Sequence, residues 1–81
     1  MPYISKIRRD EMFEGDPTPL TVGELNFLLT MVVKEYLNSK GLSYSTINDI
    51  MGALEGAKLE FYRRVAGPYE NNKITENGDI Y

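Results

Sequence analysis

Four arginines in two adjacent pairs, Arg8-Arg9 and Arg63-Arg64, are the clustered cations of an 81-residue chain. A guanidinium offers parallel N–H donors that match two oxygens of a phosphate or carboxylate, so paired arginines are candidate anion ligands. If the N-terminal arm folds back over the end of the second long helix, all four meet in one pocket. Tyr44, Tyr62, Tyr69 and Tyr81, with Phe61, supply rings that can stack on a base while each phenol finds a polar partner. The expectation is a phosphate-bearing small molecule, nucleotide-like, held by Arg8, Arg9, Arg63 and Arg64 with Tyr62 and Tyr69. A plainer account competes with it. A last-turn arginine pair complements the helix dipole, Glu60 lies four residues before Arg64, and tyrosines commonly serve cores and interfaces.

Other chemistry is thinly represented. The chain has no cysteine and no histidine, which removes thiolate catalysis, cysteine zinc sites, the usual general base and the commonest metal ligand. Glu70, Glu76 and Asp79 with Asn71, Asn72 and Asn77 resemble a calcium loop in composition only, because the D-x-D-x-D-G spacing is missing. Glu55 and Glu60 fall on separate faces of one helix and cannot act as an acid/base pair. Lys58 sits within an apolar stripe, where it either snorkels outward, pairs with Glu55 or a first-helix acid, or serves as a desolvated amine. A non-enzymatic binding protein without metal or cofactor is expected.

Charge and hydropathy narrow the partners. Nine Lys and Arg against twelve Asp and Glu give a net charge of −3, the wrong sign for non-specific nucleic-acid binding. No run approaches the ~18 apolar residues of a membrane span, and the start lacks a signal-peptide apolar region. A cytoplasmic location is expected.

The elements that must position these residues are helical. Ile47, Ile50, Met51, Leu54, Phe61, Tyr62 and Val65 recur at three-and-four spacing, the pattern of one helical face. Ser43 or Ser45 caps this helix and Leu42 staples to Ile47; Arg63-Arg64, a left-handed Gly67 and Pro68 are expected to end it near Ala66. The first long helix opens with the capping box Thr21/Glu24 and the staple Leu20/Leu25, and runs to about Asn38, ahead of Gly41. Its inner face is read as Leu25, Leu28, Leu29, Val32 and Tyr36, which leaves Phe27 and Met31 on an outer patch that needs a cover. On the far face of the second helix, Gly52 and Gly56 beside Leu59 and Arg63 each cost about 1 kcal/mol against Ala, a loss that close approach by another surface would offset.

Residues 1–20 read as an arm and linker. Met1–Ile7 is either an edge strand or an arm, Ser5 can cap a short helical turn over Lys6 to Met12, and Gly15, Pro17 and Pro19 break regular structure. Residues 21–67 read as an antiparallel helical hairpin and 68–81 as a polar tail. There Asn77-Gly78 signals a β-turn between Ile74–Glu76 and Asp79–Tyr81, or Ile80-Tyr81 pairs with Tyr3-Ile4. One domain of mainly α class follows, in which a chain this short buries only about 60% of its unfolded surface. Two helices cannot enclose a core, so the arm and tail must wrap them or copies must associate, a homodimer being favoured, with Phe27, Met31, Gly52, Gly56 and Leu59 at the interface.

The segments PYI with a following RR, then GELNF, GLSYSTIND, GALEGAKLEFYRR, PYENNK and NGDIY together resemble a family of small uncharacterised proteins of bacteriophage and prokaryotic genomes. The resemblance spans almost the whole chain and implies an origin rather than a mechanism. Small phage proteins of this kind act by binding: one sequesters a nucleotide immune signal, another caps a host defence protein. Here the first would use the arginines and tyrosines at a chain–chain interface. The second would use the acidic surface, as a nucleic-acid mimic, and the Phe27/Met31 patch.

Overall fold

The first three helices each begin at a hydroxyl that accepts from its own first turn. In the computed structural model, which describes residues 4–81, Ser5 Oγ accepts from the N–H of Arg8 at 3.1 Å and opens α1, Lys6–Glu14. Thr21 Oγ1 accepts from the N–H of Glu24 at 3.1 Å and opens α2, Val22–Lys40. Ser43 Oγ accepts from the N–H of Thr46 at 3.1 Å at the head of α3, Tyr44–Phe61, so Ser43 and not Ser45 is the cap. Each of these bonds satisfies a first-turn donor that the helix cannot pair internally. At Gly41, with φ 84°, the chain leaves α2 in a conformation that disfavours a Cβ.

The chain falls into two compact units, Met1–Thr46 and Ile47–Tyr81. In the first, α1 lies against α2. Met12 is only 4% exposed, and Phe13 meets Phe27 edge to face with ring centroids 5.6 Å apart. The patch at Phe27 and Met31 is therefore lined by the chain's own α1, and both residues are half-buried. Within this unit the opposite face of α2 is left open by α1. Val22, Leu25, Leu29, Val32 and Tyr36 remain 38% to 72% exposed, with only Leu28 of the expected inner face half-buried. Both faces of α2 are apolar, and periodicity alone does not say which one a short amphipathic arm will cover.

The second unit departs further from expectation. Helix α3 does not stop near Ala66 but passes through a π-helical turn, Tyr62–Ala66, directly into α4, Gly67–Asn77. Pro68 sits at the start of α4, directly after the π turn. The widened turn shifts the backbone register at the point where a proline ring would strike the carbonyl four residues back. Gly67 has an ordinary helical φ of −60°, not the expected left-handed one. Its requirement is space, since a Cβ there would come 3.2 Å from the Tyr62 carbonyl oxygen. The polar tail is helical as well. Ile74–Glu76 lie within α4, and Asn77-Gly78 forms its C-terminus with Gly78 at φ 87° instead of a hairpin turn. Among the described residues there is no strand. Ile4 precedes α1 without regular structure, and Tyr3 lies outside the described residues.

Candidate functional site

The first unit is held by a polar latch built around Glu24. Its Oε1 accepts from Arg8 Nη2 at 2.8 Å and from the N–H of Leu20 at 3.0 Å. The capping carboxylate thus reaches one residue upstream of Thr21, its expected target. Arg8 Nη2 also donates to the Thr18 carbonyl at 3.1 Å, and Nη1 lies 3.5 Å from Glu11. These bonds favour the charged forms: Glu24 is held below the usual carboxylate range, chiefly by Arg8, and Arg8 is raised, chiefly by Glu24. Asp16 is lowered by its hydrogen bonds with Thr18. Arg8 is accordingly a clamp between α1 and α2, with its donors already engaged.

Arg9 has different surroundings. It lines an open groove of about 300 Å³ with Lys6, Asp10 and Phe13 from α1 and Phe27, Met31 and Lys34 from α2. Among the described residues no side-chain hydrogen bond or ion pair engages Lys6, Arg9 or Lys34. Lys6, Phe13 and Lys34 were missed in the sequence, although 6, 9, 13 and 27, 31, 34 both step at three and four residues. Each trio mixes cations with apolar residues, so neither scans as an apolar stripe.

In the second unit the expected anion ligands are neutralised locally. Arg63 Nη2 lies 2.6 Å from Glu60 Oε1 and Arg64 Nε 2.7 Å from Glu60 Oε2, so one carboxylate takes both guanidinium groups. Tyr62 Oη donates to Glu70 Oε2 at 3.1 Å, which raises its phenol pKa by stabilising the neutral form. The Tyr69 ring carries Lys73 Nζ 5.5 Å from its centroid. The Lys58 side chain is 75% exposed and 3.8 Å from Glu55, and so is not a desolvated amine. Among the described residues no group of three acidic side chains is placed to hold a metal ion. Gly52 and Gly56 are open, with nothing within 4 Å of where a Cβ would stand, and Leu59 is exposed.

The remaining feature is a pair of apolar seams. On α2, Val22, Leu25, Leu29, Val32 and Tyr36 follow a strict three-four alternation. On α3 and its π turn, Ile47, Met51, Leu54, Phe61 and Val65 follow it with Lys58 in register, and these five apolar residues are 40% to 63% exposed. Three-four spacing is the geometry by which one helix seats its side chains between those of another.

These features define a mainly helical chain. The chain belongs to the family described as a domain of unknown function (DUF6899), whose profile matches residues 1–80. Neither a curated protein nor a solved structure matches it. Among the described residues no helix is long and apolar enough to cross a membrane.

Proposed function

We propose that this is a non-enzymatic binding protein that works as a homo-oligomer, with the seams of α2 and α3 as its association surfaces. In this reading the seams pair antiparallel as a helical hairpin, and two copies close into a bundle. One observation carries it: large apolar side chains at three-four spacing, interrupted only by Lys58 on α3, are exposed on both long helices. Covering a half-exposed Leu, Val or Met contributes on the order of 1 kcal/mol, about half the value for full burial. Met12, at 4% exposure, is the one large apolar side chain in the buried core among the described residues, so such a contribution matters to stability. Lys58, in register within the α3 seam, would set alignment at some expense in affinity, as a lone polar residue does in a coiled coil.

The same surfaces suit the helices of a foreign protein, which keeps an inhibitor or adaptor of a host defence protein as the second reading. The resemblance to small phage proteins, and with it a phage origin and a host-cytoplasmic location, favours that role. An anion pocket built jointly from Arg8, Arg9, Arg63 and Arg64 with Tyr62 and Tyr69 draws less support, because Glu24, Glu60 and Glu70 already engage four of these six side chains.

Sedimentation velocity on the purified chain tests the proposal. The wild-type protein is expected to sediment as a multiple of 9.2 kDa, and Val32→Glu as the monomer with its helicity retained. Wild-type protein sedimenting as a monomer at about 100 µM, far above the Kd of a specific interface, would refute it.

A further inference from the structure

The groove between α1 and α2 uses none of the seam residues, and its chemistry points to a different partner. Phe13 and Phe27 form an aromatic wall, with Met31 as a soft, polarizable neighbour that adapts to a flat ring. Lys6, Arg9 and Lys34 add three cations against the single carboxylate of Asp10. In the ion pairs formed elsewhere in the chain, the cation lies three or four residues from its carboxylate or is clamped as Arg8 is. Groove cations without such partners retain their donors for a ligand. The Arg8–Glu24 bond and the Phe13–Phe27 contact bridge the same two helices, so part of the ordering that binding needs is made before a ligand arrives.

We propose that this groove binds a small molecule made of a planar ring and one phosphate, the ring against Phe13 and Phe27 and the phosphate between Arg9, Lys6 and Lys34. The volume of about 300 Å³ is at the lower end of small-molecule sites, which run roughly 300–1,000 Å³, and suits a mononucleotide better than a dinucleotide. Asp10 at the rim would accept from a ring amine or ribose hydroxyl and disfavour a second phosphate. The site is independent of the seam-mediated assembly and stands or falls separately from it.

Isothermal titration of the full chain with adenosine, guanosine, cytidine and uridine monophosphates tests this, with adenosine and inorganic phosphate as separate arms. At least one monophosphate is expected to bind, with adenosine and phosphate each weaker by roughly tenfold or more, since each makes only half of the contacts. Arg9→Gln and Lys34→Gln, both at exposed positions, should each weaken binding by roughly tenfold with unchanged circular dichroism, whereas Arg64→Gln should leave it unchanged. The proposal is overturned if no monophosphate binds at millimolar concentration, if phosphate alone binds as well as the nucleotide, or if Arg64→Gln weakens binding as much as Arg9→Gln.

Discussion

Arg8 and Glu24, sixteen residues apart in sequence, meet at 2.8 Å and tie α1 to α2. The bond depresses the Glu24 carboxyl, so the charged form is the one that the folded state stabilises. Its contribution is complete above the ordinary carboxylate pKa and is lost as pH falls through the lowered value. Glu24→Gln is therefore expected to lower the melting temperature at pH 7. The gap to wild type should begin to narrow as pH is taken below about 4, where the unfolded-state carboxyl takes up a proton while Arg8 still keeps the native one charged, and should close once the native carboxylate itself protonates. Thermal melts of both proteins across that range give the comparison. A gap that stays constant down to pH 2 would mean that the carboxylate charge contributes nothing.

Met12 is the most buried apolar side chain of the first unit. At 4% exposure its truncation leaves a cavity that Phe13 and Phe27, already engaged with each other, cannot fill. Met12→Ala is expected to destabilise by about 2–4 kcal/mol, read from urea denaturation, and Phe13→Ala by less because Phe13 is exposed.

Three glycines within helices should respond in opposite directions. Gly52→Ala and Gly56→Ala enter open space and are each expected to stabilise by about 1 kcal/mol through helix propensity alone. Gly67→Ala has the same propensity gain set against a contact 3.2 Å from the Tyr62 carbonyl oxygen, in a π turn with little room to yield, and should show no gain or a loss. Melting temperatures rank the three. If Gly52→Ala or Gly56→Ala instead lowers the sedimenting mass, that stripe belongs to the association surface.

The start of α3 gives a smaller and simpler effect. Ser43 Oγ accepts from the N–H of Thr46 and donates to Thr46 Oγ1, both at 3.1 Å. Ser43→Ala should cost about 1 kcal/mol in chemical denaturation, and Ser45→Ala much less.

Helix starts were legible because they are written locally. Ser5, Thr21 and Ser43 each cap through a donor three residues ahead, and nothing distant competes. The end of α3 was not legible, because Gly67-Pro68 ordinarily punctuates a helix. Here a π turn absorbs the proline, and only tertiary coordinates reveal that choice. The polar tail went the same way, since Asn77-Gly78 ends a helix as readily as it turns a hairpin. For α2 the period was right, and the patch at Phe27 and Met31 receives from α1 the cover it calls for. The groove cations escaped notice because Lys6, Arg9 and Lys34 are unremarkable singly and gain meaning only when α1 folds against α2.

The dependence of melting temperature on protein concentration tests the association through the α2 and α3 seams most directly. Over a roughly hundredfold range from micromolar upward, mass action predicts a melting temperature that climbs with concentration, and that does not climb in Val32→Glu. A wild-type melting temperature that stays the same at every concentration would contradict it.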